Sequence, residues 1–197
     1  MHFIISLAIE LSSAAVFLIP IILILNAAYL RDAKKCIAYM LFTLYLAAVS
    51  VVVGMPSVNS LTFDPTVEVI PFISMISDAK NCVLNVILFV PLGMFLPLLW
   101  ERFRSPARVI LFGFCTSLTI EILQLFTFRT TDADDLITNT LGAAIGYFIA
   151  KSISGKWQMV KPEEHTRDVY LLCGIVFAVM FFAQPFLSGV IWDIVYV

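Results

Sequence analysis

Long apolar stretches alternate with short polar ones along this chain. The apolar stretches cover residues 4–30, 36–54, 81–100, 107–127, 136–151 and 169–191. A helix of roughly 20 residues crosses the hydrocarbon core of a bilayer, and these stretches are near or above that length. They lack the strict alternation of barrel strands, and a helix satisfies its own backbone hydrogen bonds in lipid. The pattern therefore predicts an all-α, polytopic membrane helix bundle with six transmembrane helices.

The composition agrees with this interpretation. Of the 197 residues, 61% are hydrophobic and 13% are charged, and the mean hydropathy is +0.99. A soluble domain needs about twice that charged fraction to cover its surface. We therefore expect a single membrane domain over residues 1–197, with no separate soluble domain and no nucleic-acid partner.

The basic residues predict the orientation of the chain. The connections at 31–35, 101–108 and 151–168 hold ten of the twelve Lys and Arg residues, and the alternate connections hold only Lys80 and Arg129. Cytoplasmic loops of membrane proteins carry the excess of positive charge. Both termini are therefore predicted to be extracytoplasmic, and the stretch from Glu121 to Asn139 is predicted to face the same side.

Polar residues recur at helical spacing in three of the predicted helices. The fourth carries Ser117, Glu121 and Gln124; the fifth carries Asp132, Asp135, Asn139, Gly142 and Gly146; the third carries Asp78, Asn81 and Asn85. Residues at these spacings share one helix face. The three stripes reach the same leaflet, so we expect them to line one outward-facing pocket, which Glu10 and Gln184 could join. Gly142 and Gly146 form a pair of small residues that lets another helix approach closely.

Each polar group also has a structural interpretation. Glu121 lies within a span, where an unpaired charge is costly, so it either serves a function or bonds neighbouring helices. The acids before the fifth helix favour its N-terminus, and Thr131 could form a capping box with Asp134. Asp134 points away from the Asp132 and Asp135 stripe. Arg129 is either a counter-ion for these acids or a ligand for an external phosphate or carboxylate.

Known catalytic motifs do not decide the chemistry. The chain has no HExxH motif and no glycine-rich phosphate loop, and its four cysteines have no metal-site spacing. The sequence thus predicts no dedicated metal site and identifies no cofactor, although clustered carboxylates are able to hold a divalent cation. Glu121 and Asp135 are the candidate catalytic residues, because a carboxylate in a partly desolvated pocket can act as a general acid or base.

Three segments resemble the VanZ-like family of bacterial membrane proteins. They are NVILFVPLGMFLPLL from Asn85, SLTIEILQLF from Ser117 and RTTDADDLITNTLGAAIGY from Arg129. The resemblance covers about 65–150, which leaves the span at 169–191 as an addition. It implies a multi-pass protein of the bacterial cytoplasmic (inner) membrane, since the founding member is associated with resistance to the lipoglycopeptide teicoplanin. The positions it implies are Asn85, Pro91, Gly93, Glu121, Gln124, Arg129, Asp132, Asp135, Asn139 and Gly142. They include the predicted pocket residues Asn85, Glu121, Gln124, Arg129, Asp132, Asp135 and Asn139.

Two functions fit these observations best. The first is a cell-envelope protein whose outward pocket binds a membrane lipid or a lipoglycopeptide. The second is an intramembrane enzyme that acts on a lipid-linked phosphate or glycan precursor, with Glu121 or Asp135 as acid or base and Arg129 holding an anionic group. A transporter is disfavoured, because the chain lacks the internal repeats that are typical of transporter folds.

Overall fold

Helices make up nearly all of the structure, a computed structural model that describes residues 2–63, 67–68, 79–127, 131–153 and 162–196. The α-helices are α1 (His2–Leu25), α2 (Ala33–Val52), α3 (Ala79–Leu99), α4 (Pro106–Gln124), α5 (Ala133–Ile153), α6 (Arg167–Ala178) and α7 (Gln184–Tyr196). A π-helical turn at Asn26–Leu30 follows α1, and another at Val179–Ala183 joins α6 to α7. A short 3-10 turn at Glu101–Arg104 precedes α4.

Six of the described helical segments are long and apolar enough to cross a membrane. The sixth of these segments, Arg167–Ile194, consists of α6, the π-helical turn and most of α7. The prediction of six membrane-length helices is thereby confirmed. Large apolar side chains also project outward, among them Ile4, Tyr29 and Phe148. Such exposure is unfavourable in water and expected in lipid.

Local sequence explains several helix ends. Asp32 begins α2, because its side chain accepts hydrogen bonds from the backbone N–H groups of Lys34 and Lys35. Pro106 begins α4, a position where the missing proline N–H costs nothing. The prolines inside helices do not end them: α1 continues past Pro20, and α3 contains both Pro91 and Pro97.

The chain forms two compact units. The first unit comprises Met1–Leu61 and Arg167–Val197, and the second comprises Thr62–Thr166. In the first unit, an apolar core joins α1, α2, α6 and the second π-helical turn through Ala14, Leu18, Ala47, Val176 and Val179. In the second unit, α5 packs against both α3 and α4. The pocket residues predicted on the third, fourth and fifth membrane helices belong to the second unit, whereas Glu10 and Gln184 belong to the first.

One short strand pair completes the second unit. The strand β1 (Val67–Glu68) lies parallel to β2 (Thr131–Asp132), with Glu68 opposite Asp132. This pairing holds part of the long connection between α2 and α3 against the residues that lead into α5. It therefore sets the backbone position of Asp132 at the start of the candidate site.

Candidate functional site

Polar side chains from α3, α4 and α5 meet around the first turns of α5. We call this set the α5 polar cluster; it comprises Asn85, Ser117, Glu121, Asp132, Asp134, Asp135 and Asn139. Each helix contributes polar side chains that recur at helical spacing along one of its faces, the spacing from which they were predicted. The hydrogen bonds below show how the three helices are connected through it.

Asp132 forms the cap of α5. Its Oδ1 accepts a hydrogen bond of 2.8 Å from the backbone N–H of Asp134, in the geometry of an N-cap residue. A carboxylate at this position is also stabilised by the positive end of the helix dipole. The capping box predicted between Thr131 and Asp134 involves the Thr131 side chain, which lies outside the described part of the chain.

Glu121 connects α4 to the start of α5. Its Oε2 accepts a hydrogen bond of 3.0 Å from the backbone N–H of Asp132. The Glu121 side chain is only 4% exposed. A buried carboxylate needs hydrogen-bond donors to offset the loss of hydration, and this backbone N–H supplies one. Glu121 therefore helps to hold the entrance of α5 against α4.

Two amide side chains complete the connections. Asn85 of α3 donates through Nδ2 to Asp135 Oδ1 at 2.7 Å. Asn139 of α5 donates through Nδ2 to Ser117 Oγ of α4 at 2.9 Å. Hydrogen bonds between membrane helices commonly involve such Asn and Ser side chains. The site residues thus also contribute to helix association.

Asn139 has an unused acceptor. The side chain is 2% exposed, and its Oδ1 has no hydrogen-bond partner among the described residues. Leaving a buried polar atom unpaired costs about 1–3 kcal/mol. Such an atom in a native structure calls for an explanation, and a ligand that donates a hydrogen bond would provide one.

Glycines bring the backbones of α3 and α5 into direct contact. A Cβ atom on Gly142 would collide with the carbonyl oxygen of Val86, and one on Gly146 with that of Val90. A Cβ on Gly93 of α3 would likewise collide with the carbonyl oxygen of Ala143. The predicted close approach at Gly142 and Gly146 is confirmed, and α3 is the helix that approaches. This contact positions Asn85 beside Asp135.

The structure brings most of the predicted pocket residues together. Asn85, Glu121, Asp132, Asp135 and Asn139 all take part in the α5 polar cluster. Gln124, 5% exposed, lies one turn beyond Glu121 at the end of α4. Arg129 and Asp78 lie outside the described residues.

Sequence reasoning missed the burial of Asp134. This side chain is fully buried, and Thr138, one turn later, is also buried. The Thr138 hydroxyl donates a hydrogen bond to the Asp134 carbonyl oxygen. The predicted stripe follows a single face of the helix through Asp135 and Asn139. Because α5 packs against both α3 and α4, its buried face is wider than one stripe and includes Asp134.

Glu10 and Gln184 are hydrogen-bonded to each other. Both belong to the first compact unit. Among the residues that the structure describes, no three His, Cys, Asp or Glu side chains are grouped as a metal site would require.

Comparison with known proteins identifies a family. A family model described as VanZ/LLP1 matches residues 36–154, which is more than half of the chain. The matched region runs from the beginning of α2 to the end of α5 and contains the whole α5 polar cluster. No curated protein and no solved structure matches the chain significantly.

Proposed function

Because the chain belongs to the VanZ/LLP1 family, we propose that it is a bacterial membrane protein linked to teicoplanin resistance and cell-envelope function. In this proposal the protein lies in the cytoplasmic membrane. The α5 polar cluster faces outward and binds a lipid or a lipoglycopeptide.

One observation carries the binding proposal. The buried Asn139 carbonyl oxygen has no partner among the described side and main chains, and it lies in a cluster otherwise rich in carboxylates. Such a site accepts hydrogen bonds, so it favours ligands that donate them. Sugar hydroxyls and peptide N–H groups are donors of this kind, and both occur in a lipoglycopeptide. Exposed apolar side chains on the same helices, including Ile87 and Phe148, suit the acyl chain of an amphiphile.

Substitution of two acids tests the proposal. We expect Glu121→Gln and Asp135→Asn to abolish the gain in teicoplanin resistance that the wild-type protein gives an expressing strain. Each change keeps the size of the side chain and removes its charge. Exposed Glu164→Gln and Asp193→Asn are the matched controls and should keep the wild-type effect.

The measurements are the minimal inhibitory concentration of teicoplanin and the lipid composition of the membrane, at equal protein levels. The same variants are also tested with teicoplanin that lacks its acyl chain. This comparison separates recognition of the sugar and peptide groups from binding of the acyl chain. If both site variants leave susceptibility and lipid composition at wild-type values, the proposal is wrong.

A second candidate function is an intramembrane enzyme acting on a lipid-linked phosphate or glycan. The observation that favours it is the positioning of two carboxylates by N–H donors, Glu121 by the Asp132 backbone and Asp135 by Asn85. A general acid or base must be held in this way and contributes about 100-fold or more to a rate. Glu121→Gln should then lower turnover of a lipid-linked precursor by that factor while the purified variant still binds it. Equal losses of binding and turnover would favour the binding function instead.

A further inference from the structure

The first compact unit contains a cavity of about 320 Å³. Its walls come from α1, from the end of α2 with the following turn, and from the π-helical turn and α7. Glu10 provides the only ionisable side chain among the described residues that line it. The cavity is large enough for a small organic group, since ligand sites commonly begin near 300 Å³.

Glu10 is held in place within this cavity. Its Oε2 accepts a hydrogen bond from Gln184 Nε2, and its Oε1 lies 3.4 Å from Trp192 Nε1. Gln184 is 4% exposed and follows directly after the π-helical turn Val179–Ala183. Turns of this kind inside helices are frequent at functional sites. Two donors from α7 thus orient a carboxylate of α1.

The other polar groups of the cavity offer acceptors. The Ser50 hydroxyl donates to the carbonyl oxygen of Leu46, and the Ser188 hydroxyl donates to that of Pro185. Each hydroxyl has only one hydrogen to donate, so its oxygen lone pairs are left to accept. Since Gln184 donates through its amide nitrogen, its carbonyl oxygen is a further acceptor. The cavity therefore favours a ligand that donates several hydrogen bonds.

Charge points to the same kind of ligand. A carboxylate inside a membrane-spanning helix is costly unless it is paired with a positive group or hydrated. None of the described lining residues is Lys, Arg or His. The described residues also provide no group of three ligands for a metal ion. An organic ammonium group satisfies the charge of Glu10 and supplies donors to the surrounding acceptors.

We propose that the Glu10 cavity binds the ammonium group of an amine, which is carried either by a lipid headgroup or by a small free amine. Glu10 and the serine and glutamine oxygens hold the ammonium. The site is separate from the α5 polar cluster, since none of the described residues that line the cavity belongs to that cluster. It therefore does not depend on the function proposed for that cluster.

Calorimetry tests the free-amine source. The full-length protein in phosphatidylglycerol nanodiscs is titrated with ethanolamine, and ethylene glycol serves as the control ligand because a hydroxyl replaces its ammonium. We expect binding of ethanolamine alone. Glu10→Gln should weaken it at least about tenfold, because the amide cannot form a charge-assisted hydrogen bond with the ligand.

Lipid analysis tests the other source. The protein is reconstituted in vesicles of equal phosphatidylethanolamine and phosphatidylglycerol, repurified in mild detergent, and its retained lipids are quantified by mass spectrometry. We expect the wild-type protein to be enriched in phosphatidylethanolamine and Glu10→Gln to lose the enrichment. Binding in only one of the two experiments identifies the source of the ammonium group.

Two further variants separate binding from folding. Glu164→Gln removes an exposed charge and should bind like the wild type. Met55→Trp keeps Glu10 but fills part of the cavity, so it should lose binding while its unfolding temperature stays close to the wild-type value. Equal binding of ethanolamine and ethylene glycol, unchanged binding by Glu10→Gln, or no binding in either experiment would overturn the proposal.

Discussion

At the scale of single residues, the α5 polar cluster combines helix association with unused hydrogen-bonding capacity. The pair formed by Ser117 and Asn139 shows both properties. The hydrogen bond between them joins α4 to α5, whereas the Asn139 carbonyl oxygen has no partner among the described residues. The amide nitrogen therefore contributes to helix association, and the amide oxygen is the atom that the proposed ligand would contact.

This division leads to a stability prediction for Ser117→Ala. The substitution leaves a second buried atom of Asn139 unpaired, so we expect the free energy of unfolding to fall by about 1–2 kcal/mol. The double variant Ser117→Ala with Asn139→Leu removes both polar partners and should regain most of that loss. Chemical or thermal unfolding in detergent measures both values.

Thr119→Ala is the matched control for this series. Thr119 lies on the same helix, is exposed, and donates its hydroxyl to the Cys115 carbonyl oxygen one turn earlier. Its loss should change stability by less than about 0.5 kcal/mol, as is usual for surface substitutions. A loss for Ser117→Ala no larger than that of the control would show that the bond to Asn139 contributes little.

At the scale of helices, close backbone contact between α3 and α5 positions the cluster. Without a side chain at Gly142, the α5 backbone reaches the Val86 carbonyl oxygen of α3. Small residues allow this contact in membranes, where van der Waals packing drives helix association. The hydrogen bond between Asn85 and Asp135 depends on the same approach.

Adding one methyl group should therefore disturb the contact. We expect Gly142→Ala and Gly146→Ala each to lower the free energy of unfolding by about 1–3 kcal/mol, the usual cost of overpacking. Gly174→Ala is the matched control, since a Cβ at Gly174 meets nothing within 4 Å. That change should be neutral or slightly stabilising, because alanine favours helix over glycine. Thermal unfolding in detergent compares the three, and similar values for all would contradict the packing argument.

Helical periodicity predicted most of the cluster because its members other than Asp132 lie on regular helices. Glu121 and Asn139 each share a face with other polar residues, and the structure brings those faces together. The burial of Asp134 was missed because a single stripe does not show that α5 packs against two helices. The π-helical turn before Gln184 leaves no clear sequence pattern, so the cavity around Glu10 required the three-dimensional structure. The periodicity of a sequence shows which residues share a face of one helix. It does not show which helices pack against each other.

At the scale of the whole molecule, the family match and the compact units divide the chain differently. The match covers residues 36–154, whereas the second unit is Thr62–Thr166. The matched region therefore includes α2, which belongs to the first unit. The Glu10 cavity combines residues of α2 with residues of α1 and α7, so matched and unmatched parts of the chain jointly form it.

The orientation of the chain in the membrane follows from its charges. Because six spans place both ends on the same side, and the connections at 31–35, 101–108 and 151–168 hold most of the basic residues, we expect both termini to be extracytoplasmic. Alkaline phosphatase fused at the C-terminus or after Val58 should then be active, since the enzyme folds only outside the cytoplasm. Green fluorescent protein fused after Glu164 should fluoresce, because it matures inside. Fluorescence of a green fluorescent protein fused at the C-terminus would show that the orientation is the reverse of the predicted one. The α5 polar cluster would then lie on the cytoplasmic side, where it could not meet an external lipoglycopeptide.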